Sequence, residues 1–266
     1  MTVLAQNAGF AVRGLSRRAP ATADAWVADA CKPGALRGCC DGVDTVFSAL
    51  GASVHLQGNS RRPFSEVDSK ANLLLLEEAV RAGVRRFVYV AAYTEPGYAW
   101  TKYIQAHEEV VKAVRRSGLS TTIIRPTAFF SSLDPYLSFA RKGLIPLVGD
   151  GEAKTNPIDV GDLAEIAMEL LHQGPAEIAV GGPEIMSRRK IGRIAFEALR
   201  VYSDPSFIQV PPVLARMNGK LLGLYNPRLG ELIEFAAVVS ITNCIAPRFG
   251  SRKLLDYFRS LAAPAS

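Results

Sequence analysis

Tyr103 and His107 lie four residues apart, on one face of a helix that the sequence predicts from Tyr103 to Ser117. A phenol and an imidazole, both titratable, thus face the same way, the histidine mostly neutral at pH 7; an ordinary helix-surface pair is the competing reading. Arg17 and Arg18 close a short apolar strand, Phe10 to Ser16. A guanidinium group grips phosphate oxygens in pairs, while a solvated basic turn needs no ligand. Arg125-Pro126-Thr127-Ala128-Phe129 ends another strand, and Phe129 with Phe130 reads either as an apolar pocket wall or as core packing. Asp159 and Asp162 stand at a helix start and read as structural caps. Cys31, Cys39, Cys40 and Cys244 have no zinc-like spacing and read as reduced thiols. His55, His107 and His172 make no metal motif, so no metal is expected.

The elements that must position these residues alternate along the first half. Met1 to Asn7 reads as the last turns of a helix stopped at Gly9. Strands follow at Phe10 to Ser16 and Trp26 to Ala28, then a helix at Pro33 to Cys40 closed by Asp41-Gly42. Asp44 to Leu50 is a buried strand ending at Gly51. Asn72 to Ala82 is a helix, Val84 to Ala92 a strand, Tyr103 to Ser117 a helix and Thr121 to Arg125 a strand, with Gly83 and Gly118 as helix stops. Continuous apolar strands between amphipathic helices imply a parallel sheet covered on both faces, the doubly wound α/β architecture. The second half predicts a turn at Gly149-Asp150-Gly151 and a helix from Asp162 to Leu171. A strand follows at Ile178 to Val180, a helix capped by Ser187 runs to Leu199, and further helices span Val213 to Leu222 and Leu229 to Asn243. The expected division is 1–171 for the α/β domain and 172–266 for a small helical lobe that meets substrate or partner.

Composition agrees with a globular chain: 48% of the 266 residues are hydrophobic and 21% charged. The net charge of +6 is partly local, with Arg13, Arg17, Arg18, Arg37, Arg61 and Arg62 in the first quarter. Such a cluster serves a phosphorylated cofactor, nucleic acid or solubility. No nucleic-acid motif accompanies it, so no nucleic-acid partner is expected. No apolar run is long enough to cross a bilayer, and Phe235 to Ile241 reads as a buried helix, so no membrane partner is expected. No signal-peptide pattern opens the chain, and the expected compartment is cytoplasmic.

From Phe10 to about Leu171 the chain resembles the atypical, extended-like short-chain dehydrogenases, above all the NmrA-like group. The segments that carry this are VRGLSRR, VADA with LRGCCDGVDTVFSALG, VDSKANLLLLEEAVRAGVRRFVYVAA, SGLSTTIIRPTAFF and NPIDVGDLAEIAMELL, in the family's order and spacing. The resemblance implies a Rossmann-like doubly wound parallel sheet. The family opens with a strand and a GxxGxxG turn that lets backbone approach a pyrophosphate, and this pattern does not occur here. About twenty residues of a βα unit are expected to be missing ahead of Met1. In the 3-2-1-4-5-6 strand order the missing strand is central. The Phe10 and Asp44 strands are therefore expected either to keep one unpaired edge each or to pair directly.

The resemblance also implies roles. Arg17 and Arg18 would meet a ribose 2′-phosphate, which selects NADP over NAD. Asp29 would lie near the adenine, or cap a turn. Ser48, Ala49, Leu50 and Gly51 would let the dinucleotide lie against the strand ends, or simply end the strand. Asn72 would stand near the cofactor or cap its helix. Ala91 and Ala92 replace serines that many relatives carry near the substrate. Pro126, Thr127 and Phe129 would border the nicotinamide. Tyr103 and His107 match a Tyr-x-x-x-Lys pair in which tyrosine protonates the carbonyl and lysine lowers its pKa, with histidine here in place of lysine. The implied function is an NADP-dependent oxidoreductase on a small carbonyl compound. The alternatives are an NmrA-like redox-sensing regulator that binds the dinucleotide and a protein partner without turnover, or a scaffold with an incomplete dinucleotide site.

Overall fold

Alternate residues of the central strands face two different cores, and this fixes the layering. The computed structural model describes residues 1–18, 24–52, 62–200 and 205–263, so Arg61 and His55 lie outside the described residues. In chain order it contains α1 (Thr2–Asn7), β1 (Arg13–Ser16), β2 (Asp24–Val27) and β3 (Thr45–Ser48). A π-helical turn, Ser65–Lys70, then runs directly into α2 (Ala71–Arg81). Next come β4 (Arg86–Val90), α3 (Lys102–Arg116), β5 (Ser120–Pro126), α4 (Asp134–Ala140), β6 (Ile145–Val148), β7 (Lys154–Thr155) and α5 (Val160–Glu169). The chain finishes with β8 (Glu177–Val180), β9 (Met186–Ser187), α6 (Arg188–Ala198), β10 (Phe207–Val210), α7 (Pro212–Gly223), α8 (Pro227–Val239) and α9 (Leu254–Ala262).

The main sheet has the order β3-β4-β5-β8, all parallel. Every residue of β4 is buried, as a strand covered on both faces requires. Phe87 and Tyr89 point into a core with Leu75, Ala79, Val110 and Val114 of α2 and α3. Val88 and Val90 point into a second core with Leu163, Ala167 and Leu170 on the α5 side. That two-sided burial is the doubly wound, Rossmann-like α/β fold. After α2 and α3 the chain reverses through Gly83 (φ 72°) and Gly118 (φ 76°), a left-handed conformation that glycine adopts without a Cβ penalty.

Several elements differ from expectation. Pro33 to Cys40 forms consecutive turns and no helix, because Gly34 and Gly38 take positive φ values (78° and 89°) that interrupt it. Asp159 caps α5 by accepting from the Gly161 amide at 2.7 Å. Asp162 instead is buried within α5 and accepts the Ser251 and Arg252 amides, each at 3.0 Å, fastening the loop before α9. Residue 171 does not end the sheet, since β8 continues it beside β5. A further core in the second half joins α4, α6 and α9 around Ile145, Ile191 and Phe258.

β1 pairs in parallel with β2 in a separate two-stranded sheet. Among the described residues, β1 and β3 do not pair with each other, so each keeps one free edge.

Candidate functional site

The carboxyl ends of β3, β4 and β5 lie side by side, and buried polar side chains fix the turns that leave them. Beyond β3, Ser48 Oγ donates to Asn72 Oδ1 at 2.6 Å. Asn72 Nδ2 donates to the carbonyls of Leu50 (3.0 Å) and Asp68 (2.8 Å). Asp68 Oδ2 accepts from the Ala52 amide at 3.1 Å. The turn from Ser48 to Ala52 is thus held from beneath, with Ala49 and Gly51 left exposed above it. Asn72 opens no helix, contrary to expectation: the helical path already runs through the π-turn, and Asn72 is fully buried. A π-turn inserts one residue per turn and is a recurrent device near binding sites.

Beyond β4, Ala91 and Ala92 are buried, and the Ala91 amide donates to the Ile124 carbonyl at 2.8 Å. Beyond β5, Thr127 Oγ1 donates to the Asn156 carbonyl at 2.7 Å, and Phe129 bridges to Ile158. Arg125, 8% exposed, donates to Glu108 Oε1 (2.6 Å), Glu177 Oε1 (2.7 Å) and the Ala92 carbonyl (2.8 Å). One guanidinium thereby ties α3 and β8 to the strand ends.

Tyr103 stands in the first turn of α3. Its ring packs edge-on against Phe64 (4.9 Å between centroids) and His107 (4.8 Å), and lies 4.6 Å from Phe235 of α8. His107 does not share an exposed helix face with it. The imidazole is buried, with Nδ1 hydrogen-bonded to the Tyr89 hydroxyl at 2.7 Å and Nε2 3.6 Å from Asp68 Oδ1. Burial, assisted by the Arg125 charge, pulls the His107 pKa down to about 4. Burial pushes the Asp68 carboxyl up to about 7, against the Ala52 amide and Arg228, which favour its charged form. Tyr103 is pushed above the ordinary phenol range by burial and by the Asp68 charge. The cluster therefore holds neutral groups at mildly acidic pH.

The structure gathers Ser48, Leu50, Asn72, Ala91, Pro126 and Thr127 on one rim, and Asp68 links that rim to His107. Arg17 and Arg18 are exposed beyond β1, in the separate sheet. Asp29 lies past β2 in a two-point ion pair with Arg62 (3.0 and 2.8 Å), which holds its carboxyl down at about 2. Sequence reasoning missed Asp68, Tyr89 and Glu108. Asp68 carried a signal: with Asn72, Leu75, Leu76 and Ala79 it follows one helical phase, and all five are buried. A carboxylate on an apolar stripe marks a buried polar site.

Comparison with known proteins places this geometry in a family. The family model for NAD(P)H-binding matches residues 2–174. A mitochondrial subunit from Arabidopsis thaliana, NADH dehydrogenase [ubiquinone] 1 alpha subcomplex subunit 9, is 23% identical over 190 residues, covering 66% of this chain and 47% of the plant protein. The chain thus spans about half the length of that relative. A nucleoside-diphosphate-sugar epimerase from Staphylococcus aureus superposes with a TM-score of 0.69 at 14% identity, covering 97% of this chain and 94% of its own. The NADPH-dependent quinone oxidoreductase of Escherichia coli, solved with NADPH, gives 0.64 at 13% identity, covering 90% and 83%. At these identities the likeness of the solved structures is one of fold.

Proposed function

Because the chain belongs to the NAD(P)H-binding family, of the atypical short-chain dehydrogenase type, we propose that it binds NADP(H) along the carboxyl rim of β3, β4 and β5 and reduces a small carbonyl compound. The observation that carries this reading is the rim itself: parallel strands end together on small or pinned residues, where open α/β sheets take ligands. The residues present fit the nicotinamide half. Ala91, Pro126 and Thr127 border it, Phe129 gives an apolar wall, and the turn at Ser48, Ala49, Leu50 and Gly51 offers backbone with little side-chain bulk. Arg17 and Arg18 are the proposed 2′-phosphate ligands, and Asp29 the adenine-side carboxylate. No residue is assigned to the pyrophosphate, since the chain has no GxxGxxG turn. The bound nicotinamide would supply the hydride.

Tyr103 is the proposed proton donor to the carbonyl oxygen. His107 orients it through ring contact and is itself fixed by Tyr89 and Asp68. The quinone named for the Escherichia coli structure is a carbonyl compound of this class. Residues 172–266 are proposed to close the substrate side, where Phe235 of α8 lies against Tyr103.

One observation favours a second reading, dinucleotide binding without turnover. A buried, neutral His107 turned toward Tyr89 and Asp68 neither lowers the tyrosine pKa nor reaches a ribose as a lysine would. NADPH fluorescence titration, followed by turnover assays on quinones and small aldehydes, separates the readings. Saturable binding with turnover lost in Tyr103→Phe supports the enzyme. Binding without turnover supports the sensor, and no binding overturns both.

A further inference from the structure

Helix α7 is built inside out. Its buried side presents Ala215 and Gly219 to α8. A Cβ on Gly219 would come within 3.2 Å of the Gly230 carbonyl, and one on Gly230 within 2.5 Å of Gly223 Cα. The two helices approach through these glycines, leaving no room inside for large side chains. Those lie outside: Val213, Leu214, Met217, Leu221, Leu224 and Tyr225 are each more than half exposed. At 100° per residue Val213, Leu214, Met217 and Leu221 form one continuous apolar face on the side that a globular protein normally covers with polar residues, and Leu224 and Tyr225 extend it just past the helix end.

The flank of that face is cationic. Arg216 and Lys220, both exposed, follow one another along its edge, and residues 205–230 contain no acidic residue. Trp100 adjoins it with the Arg216 guanidinium 5.1 Å from its ring. No helix among the described residues is long and apolar enough to cross a membrane. We propose that α7 lies on the surface of an anionic phospholipid bilayer, its apolar face among the acyl chains and Arg216 and Lys220 at the headgroups. Interfacial helices combine these features, with tyrosine and tryptophan at headgroup depth. A second copy suits the face less well, because a two-fold contact would set the same cations against each other with no carboxylate on the patch to pair them.

The test is cosedimentation of the full chain with vesicles of phosphatidylcholine alone or mixed with phosphatidylglycerol. Circular dichroism confirms that each variant folds. The expected result is binding to the anionic vesicles that weakens with salt. Arg216→Gln with Lys220→Gln should lower partitioning roughly 25-fold, about fivefold per charge. Met217→Glu with Leu221→Glu should abolish it. Equal binding to neutral vesicles, or binding unchanged by either pair, overturns the proposal. So does a dimer in solution that fails to bind vesicles and that Met217→Glu dissociates.

Discussion

Asp68 and His107 together hold one proton in the fold, on the opposite partner from the one that holds it in water. The unfolded chain at pH 5.5 carries a charged aspartate and a charged histidine, with ordinary pKa values of 3.8 and 6.5. The folded chain, with values of about 7 and about 4, keeps both neutral. The proton count is equal, so this pair contributes no pH dependence to stability between about pH 4 and 6.5. Each partner alone would contribute one. The folded pKa of His107 is depressed, so its share of stability is lost as pH falls from 6.5 through 4. That of Asp68 is raised, so its share is lost as pH rises from 3.8 through 7. Asp68→Asn leaves the histidine alone, and stability relative to the parent should rise with pH by about 1.4 kcal/mol per unit, up to about 3 kcal/mol. His107→Gln leaves the aspartate, with a slope of similar size and opposite sign and a total of about 4 kcal/mol. Urea unfolding followed by tryptophan fluorescence at pH 4.5, 5.5 and 6.5 reads both slopes, and subtracting the parent removes other titrating groups. Variants that run parallel to the parent, or slope in the same direction, would refute the reasoning.

Arg86 is buried and donates to the Leu170 carbonyl, Ser120 Oγ and Thr122 Oγ1. Arg86→Ala should cost about 3 kcal/mol in urea unfolding, since it strips several charge-assisted bonds at once. Gly230→Ala should destabilise the α7–α8 hairpin by about 1–3 kcal/mol, read by thermal melting, because its methyl meets backbone of α7. Arg17→Ala with Arg18→Ala should weaken NADPH binding about tenfold and leave NADH binding unchanged, measured by fluorescence titration.

Strands β3, β4 and β5 were legible because an apolar run between glycine stops admits few other readings, and the burial of β4 on both faces follows from the same run. The implied strand order leaves two arrangements open for β1 and β3, and among the described residues they do not pair directly. Pro33 to Cys40 misled because its apolar spacing is helical while its glycines take conformations a helix excludes. Asp162 looked like a cap by position, yet its partners, Ser251 and Arg252, come from far along the chain. The same holds for the site. The residues of the rim follow from strand ends, and the helical phase of Asp68 and Asn72 marks them as buried, whereas the approach of Asp68 to His107 joins two helices and has no local signal. The sequence predicts a helix from Val213 to Leu222 but not the exposure of its apolar side, since periodicity gives a stripe and not the side of the molecule it faces.

Hydrogen exchange by mass spectrometry, with and without saturating NADPH, tests the location of the dinucleotide most directly. Slowed exchange is expected at residues 48–52, 90–93 and 126–129, the three turns at the strand ends. Unchanged exchange there, or protection confined to α6 through α9, would contradict binding at the rim.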